Sequence, residues 1–374
     1  MIRRAPTARW FIIVLLVIVT ASFAVMYVVQ RGRSILAKPL PEQRVAFISN
    51  RGGNTDLWTM KLDGSDMINI THDAADDRAP VWSPNGSDIV SISDRVSGKY
   101  QIVITSWNGN STQVLTISDG TKDVPSFTKD GNRIIYVSSG NVFVRDRFGG
   151  DEEQLLPVGD IAKQQLTASM PFAYAAYSPA NNYIMGVRDT DTGRVCILLE
   201  ANGNTVGDDT KPLVATTAHE IDAVWSPVGA KYAIAYVDDH GLNGLAVFDV
   251  EKKMPLDLFR GNGIGPAKPS WSPVEDKIAY EAWSVKDGYL DKNLGIYVIN
   301  ASPDKPYNPQ KLVGGDAREP SWSADGKYIF FSKPRPDGKR DIWRINADGS
   351  GALNLTNGKG DNYNPVCSPL PHHK

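Results

Sequence analysis

The sequence predicts an all-β fold: a seven-bladed β-propeller of four-stranded antiparallel blades, with the ring closed by joining strands from the two chain ends. Three observations predict it. A phrase of the form Pro-x-Trp-Ser-Pro-x-Gly returns seven times at spacings of 45 to 51 residues, a period that marks repeat architectures. Each copy but the last is followed by a run of β-formers and then by a further apolar strand. The first and last repeats are incomplete, and each holds the part that the other lacks.

The phrase occurs as Pro80–Gly86, Pro125–Gly131, Ala175–Asn181, Ala223–Gly229, Pro269–Glu275, Pro320–Gly326 and Pro365–Pro371. In the first copy Ala79–Ser83 reads as a short apolar strand. Ser83-Pro84-Asn85-Gly86 then reads as a turn, because proline presets φ and Asn-Gly tolerates the left-handed region. Asp88–Ser93 (DIVSIS) alternates apolar and polar residues, as a strand with one buried face does. Gln101–Thr105 is a third strand, Asn108-Gly109 a hairpin signal, and Gln113–Ile117 a fourth strand. Four antiparallel strands make one propeller blade.

The third strand recurs at Leu57–Met60, Val142–Arg145, Val195–Leu199, Leu245–Phe248, Ile296–Ile299 and Ile342–Ile345. Asp63-Gly64, Asn202-Gly203 and Asp348-Gly349 supply matching turns. Leu57–Met60 has a partner before it, Val45–Ser49, but no anchor phrase before that. The last anchor, Pro365–Ser368, has no strand after it. Joining the two ends in one blade closes the ring and removes two exposed edges. A count of six or eight blades follows only if an irregular segment is read differently. The least regular stretch, Gln154–Pro171, reads as a long loop.

The anchor aromatics Trp82, Phe127, Tyr177, Trp225, Trp271 and Trp322 are expected between neighbouring blades, where a large ring fills the gap between sheets. Cys367 takes this place in the closing blade. Cys196 and Cys367 are the two cysteines. They are too few for a disulfide framework and are expected as buried, unpaired thiols.

Formal net charge is −2, which provides no basic field for nucleic acid. The N-terminus is organised differently. Residues 1–9 carry Arg3, Arg4 and Arg9, and Trp10–Val29 holds no charge over twenty residues, about the length that crosses the hydrocarbon core. Trp10 and Tyr27 lie near its ends, as interfacial rings do. This predicts a cytoplasmic N-terminus (1–9), a transmembrane helix (10–29), a tether (30–43) and an extracytoplasmic propeller (44–374). The alternative is a secretory signal cleaved after Ser22-Phe23-Ala24, leaving a secreted or periplasmic protein.

The repeat, Pro-x-Trp-Ser-Pro-x-Gly followed by a β-strand, an Asp-Ile-Trp-type strand, Asp-Gly and Leu-Thr, resembles the TolB-type, WD40-like β-propeller repeat. Pro320–Thr356 matches across its length, and Arg44–Thr71 matches all but the first strand. The resemblance covers about nine-tenths of the chain and implies the fold rather than an activity. It departs from TolB itself in carrying seven anchors where TolB has six blades, in the apolar N-terminal segment, and in the expected lack of the TolB N-terminal α/β domain. Binding to TolB's lipoprotein partner is therefore not carried over.

No Gly-x-Ser-x-Gly nucleophile elbow is present. His72, His219, His240, His372 and His373 show no metal-ligand spacing. Asp73–Asp77 (DAADD) lacks the spaced ligand loop that Ca²⁺ takes and reads as a polar inter-blade loop. No catalytic residue, metal or cofactor is expected. In this fold the residues just before each anchor lie near the channel axis, at one mouth. Here they include Asp77, Arg78, Lys122, Asp123, Glu220, Asp222, Lys268, Arg318, Glu319 and Asn362. Of these, Asp77, Arg78, Asp123, Asp222, Lys268, Arg318 and Glu319 are the candidate ligand-binding residues, for a peptide or polar small molecule. Alternatively these charges solvate the channel and pair with one another. The expected function is a membrane-anchored binding or scaffold module with a protein or peptide partner. The alternatives are a channel-mouth hydrolase or lyase acting on peptide or saccharide, and a structural role in an envelope complex.

Overall fold

The computed structural model describes residues 40–371, apart from 157–170, 180–182, 191–192, 202–213, 216–221, 228, 238–242, 253, 261–262, 288 and 303–306. The expected transmembrane helix 10–29, residues 1–9 and most of the tether lie outside these. So do most of the loop expected at Gln154–Pro171, the Asn202-Gly203 turn, Glu220, His219, His240, His372 and His373. Among the described residues no helix is long and apolar enough to cross a membrane.

The described residues form seven four-stranded antiparallel sheets. The first blade joins the chain ends: β28 (Asn362–Cys367) pairs with β1 (Arg44–Ser49), followed by β2 (Asp56–Lys61) and β3 (Ile68–Asn69). The second holds β4 (Asp77–Trp82), β5 (Asp88–Val96), β6 (Lys99–Ser106) and β7 (Thr112–Val114). The third holds β8 (Lys122–Phe127), β9 (Arg133–Ser138), β10 (Asn141–Asp146) and β11 (Glu153–Leu156). The fourth holds β12 (Phe172–Tyr177), β13 (Tyr183–Thr190), β14 (Gly193–Glu200) and β15 (Val214–Ala215). The fifth holds β16 (Asp222–Trp225), β17 (Lys231–Val237), β18 (Asn243–Asp249) and β19 (Met254–Arg260). The sixth holds β20 (Ile264–Trp271), β21 (Lys277–Lys286), β22 (Tyr289–Asn300) and β23 (Gln310–Gly314). The seventh holds β24 (Arg318–Trp322), β25 (Tyr328–Pro334), β26 (Arg340–Asn346) and β27 (Leu353–Asn354).

The closure expected from the incomplete end repeats is present. Val45 pairs with Cys367, Ala46 with Val366, Ile48 with Tyr363 and Ser49 with Asn362. The Arg44 N–H also donates to the Ser368 hydroxyl (3.0 Å), and the Ser368 N–H to the Arg44 carbonyl (2.8 Å). Just upstream, Leu40 is buried beside Gly86, which Pro369 also approaches. The Gln43 side-chain oxygen receives the Ala324 N–H at 3.0 Å.

The core lies between blades rather than within one. Trp225, for example, packs with Met185, Cys196 and Leu198 of the fourth blade and Tyr232 and Phe248 of the fifth. Every anchor joins such a cluster, with Phe127, Tyr177, Trp271, Trp322 and Cys367 as in the sequence reading. Three indoles also reach back one blade. Trp82 donates to the Val366 carbonyl (3.0 Å), Trp225 to Ala176 (3.0 Å) and Trp322 to Ser270 (3.2 Å).

The Leu-Thr ending of a repeat has a specific use. Leu57, Ile102 and Ile342 donate their backbone N–H groups to the hydroxyls of Thr71, Thr116 and Thr356 at 2.9–3.0 Å. The hydroxyl replaces a ladder carbonyl where the outer strand stops, so no buried donor is left unpaired. For this reason the outer strand expected over Gln113–Ile117 ends at Val114, before Thr116.

Candidate functional site

Three residues before its anchor, the inner strand of most blades kinks. Ala79, Val124, Lys268, Glu319 and Asn364 take positive φ of 44–58°, each just ahead of a proline. The strand register shifts across all five of these bulges, at Arg78/Val81, Asp123/Ser126, Ala267/Ser270, Arg318/Ser321 and Tyr363/Val366. A bulge re-aims side chains, and here it separates residues that are adjacent in sequence.

Residues three before the anchor touch across two blade boundaries, Asp222 with Lys268 and Glu319 with Asn364. Lys268 Nζ donates to Asp222 Oδ1 (2.7 Å), and the Lys268 backbone N–H to Asp222 Oδ2 (3.0 Å). The Asn364 N–H donates to Glu319 Oε2 (2.7 Å), which also receives the Ser332 hydroxyl (2.8 Å). In each case a carboxylate closes over the bulge of the next blade. The ring is two-faced: Asp222, Lys268, Glu319 and Asn364 are polar, whereas the same position holds Ala79, Val124 and Tyr174 on the other blades.

Burial draws the Lys268 ammonium pKa down. Asp222, through charge and hydrogen bond, outweighs this with help from Glu281 and Glu319, and the pKa ends above its ordinary value. The Tyr174 phenol is pushed up to about 12 by burial, with the Asp222 charge adding to it.

Glu281 is the residue that sequence reasoning missed. It lies on β21 opposite Ala267 and is only 4% exposed. Its Oε1 receives the Glu319 backbone N–H (2.8 Å) and its Oε2 the Trp283 indole N–H (3.0 Å). A signal was present: a carboxylate interrupts the apolar run Ile278–Ala282, at a position that is Ile92, Val137 or Val187 in other blades. Arg318 rides over the Trp283 ring at 5.1 Å and pairs with Asp316. Asp316 also receives Arg340 Nη1 at 3.0 Å, and Arg340 Nε donates to the Ser332 hydroxyl at 3.0 Å.

The seven expected ligand-binding residues therefore part company. Asp222, Lys268 and Glu319 come together, with Arg318 beside them. Asp77 does not join them. It is fully buried, and Arg95 Nη2 donates to it at 3.1 Å. Burial raises its carboxyl pKa against the hydrogen bonds of Ser93 and Thr71. Arg95 also holds Asp73 at 2.9 Å, so an arginine occupies the centre of the Asp73–Asp77 cluster. The Arg78 guanidinium carbon sits over the Tyr100 ring, 3.5 Å from its centroid, and Asp123 accepts the Val124 N–H at 2.8 Å.

Lys122 and Asn362 likewise turn away from the mouth. The buried Lys122 ammonium donates to the carbonyls of Asp119 (3.0 Å) and Gly120 (3.1 Å). Asn362 Nδ2 donates to the carbonyls of Lys359 (2.9 Å) and Arg340 (3.0 Å). The position five before the anchor is a clasp for the incoming loop. Among the described residues no group of three or more His, Cys, Asp or Glu side chains is arranged to hold a metal.

The TolB beta propeller domain model matches residues 39–228. An uncharacterized protein of Agrobacterium fabrum is 26% identical over 146 residues, 38% of this chain, and the match spans 46% of that relative. Among solved structures, TolB from Acinetobacter baumannii superposes with a TM-score of 0.52 at 15% identity, covering 87% of this chain and 66% of that one. An oligogalacturonate lyase from Vibrio parahaemolyticus superposes with a TM-score of 0.56 at 11% identity, covering 83% and 84%. At these identities the likeness is one of fold alone.

Proposed function

The chain belongs to the TolB β-propeller domain family, and we propose that it is a membrane-anchored, extracytoplasmic binding or scaffold module without catalysis. Its ligand, a protein segment, a peptide or a polar small molecule, seats at the channel mouth. The single observation that carries this reading is the two-faced inner ring. Asp222, Lys268, Glu319 and the Asn364 side chain offer charges and hydrogen-bonding groups, while Ala79, Val124 and Tyr174 offer an apolar wall opposite. An extended peptide presents the same division between its backbone and its aliphatic side chains. The anchoring part rests on Trp10–Val29 and its flanking arginines. Cleavage after Ala24 would leave the same module free in the periplasm or medium.

The test uses a random heptapeptide display library panned against the full-length protein. Selected peptides lose at least about tenfold in affinity, some 1.4 kcal/mol, on Lys268→Ala combined with Glu319→Ala. They keep their affinity on Arg78→Ala. Peptides that ignore the Lys268 and Glu319 changes would overturn the mouth as the site.

The hydrolase or lyase reading is favoured by one observation. Burial raises the Glu281 carboxyl pKa beside the Lys268 ammonium, and perturbed pairs of this kind cluster at reaction sites. Turnover of a peptide or oligosaccharide panel that vanishes in Glu281→Gln would establish it.

A further inference from the structure

The sixth blade carries the longest hairpin among the described strands. Its strands β21 and β22 run ten and twelve residues. β23 covers only Gly295–Val298 of β22, so the arm beyond Leu294 has no outer neighbour strand. At the tip Tyr289 is 75% exposed. At the root stands Trp283, paired with Asn293 across the hairpin.

The Glu281 side chain connects this arm to the ring. Both Glu281 oxygens are engaged, one by the Glu319 backbone N–H of the seventh blade and the other by the Trp283 indole. We propose that Glu281 is a proton-operated latch: ionised, it holds Trp283 and the arm against the mouth, and protonated, it lets the Trp283 ring go. The proton comes from solvent. On either oxygen it takes up a lone pair of an atom that already accepts an N–H, and it removes the charge that strengthens both bonds. The Glu319 N–H is fixed in the backbone of a bulge, whereas the indole hangs on side-chain torsions. The Trp283 bond is therefore the one that yields, and the Arg318 guanidinium stacked on the ring moves with it.

The charged groups acting on Glu281 are Lys268 from β20 and Glu319 from β24; Asp222 on β16 lies beyond Lys268, and Arg318 on β24 lies over the Trp283 ring and pairs with Asp316. Burial is the largest influence and raises the Glu281 pKa. The two hydrogen bonds oppose it, the Glu319 charge adds to it, and Lys268 opposes. The balance lies above the ordinary 4.5. Ligand control by the latch rests on the mouth being the binding site, whereas its operation does not and is read without ligand.

The experiment is a ¹⁹F NMR pH titration of the full-length protein labelled with 5-fluorotryptophan, between about pH 4 and pH 8. The chain has nine tryptophans, and the resonance lost in Trp283→Phe is assigned to Trp283. It is expected to titrate with a midpoint above 4.5, and Glu281→Gln is expected to abolish that titration. Lys268→Met should move the midpoint up and Glu319→Gln should move it down, while the other eight resonances report that the fold is intact. A Trp283 resonance that stays fixed across the range, or one that still titrates in Glu281→Gln, overturns the latch.

Discussion

The Trp82 indole donates its N–H to the Val366 carbonyl at 3.0 Å, across 284 residues of sequence. The bond ties the second blade to the strand that closes the ring. Trp82→Phe keeps a ring in the inter-blade cluster but leaves a carbonyl without its donor. Such a loss costs about 1–3 kcal/mol. Chemical denaturation should show this drop, with a similar one in Trp225→Phe and Trp322→Phe. An unchanged midpoint in all three would mean that the indole N–H groups contribute nothing beyond their rings.

Asp341 gives the seventh blade a pH dependence of known sign. Its carboxylate receives Arg335 Nη1 (2.7 Å), Asn354 Nδ2 (2.8 Å), the Thr356 hydroxyl (2.9 Å) and the Gly358 N–H (3.1 Å). Burial pushes its pKa up, but these hydrogen bonds prevail and hold it below the ordinary 3.8. A depressed acid contributes stability that is fully present above 3.8 and is lost as pH falls through the folded value. Asp341→Asn should therefore be less stable than the parent at neutral pH. The gap should narrow in acid, as read by urea denaturation at about pH 7 and pH 3. A constant gap would remove Asp341 as its source.

What the sequence could reveal followed from periodicity. The anchor phrases recur every 45 to 51 residues, and the two incomplete end repeats predict that Val45–Ser49 and Pro365–Ser368 share one blade. The mouth was less legible because of the bulge. A one-residue shift turns every side chain to the other face, so Asp77 and Lys122 point into the loops while Lys268 and Glu319 point inward. Proline follows the bulge in five blades, yet nothing in Ala79-Pro80 or Glu319-Pro320 announces the positive φ before it. Glu281 was overlooked because its strand reads as core. Its partners come from a bulge backbone and from a tryptophan two residues along, and neither leaves a mark in a repeat pattern.

The two thiols should be nearly inert in the folded protein. Cys196 is buried and Cys367 partly so, both are free, and burial pushes each thiol up to about 12. The thiolate is the reactive form. Iodoacetamide at about pH 8 should therefore leave both unmodified until denaturant is added, as followed by intact mass. Rapid native labelling of Cys367 would show that its side of the inter-blade cluster opens readily.

Gly295 sets the point where the long hairpin leaves the blade. Its φ is +121°, and a Cβ placed there would stand 1.8 Å from the Val313 carbonyl oxygen on β23. Gly338 also has positive φ, +81°, but nothing lies within 4 Å of its Cβ position. Comparing the two separates conformational strain from collision. Gly338→Ala carries strain alone, on the order of 1–2 kcal/mol. Gly295→Ala adds a backbone clash that no rotamer relieves, so its loss should exceed that of Gly338→Ala by more than about 2 kcal/mol. Differential scanning calorimetry of the two variants checks this. Equal losses would mean that β23 shifts freely away from β22, and that the sixth blade is held by its inner three strands alone.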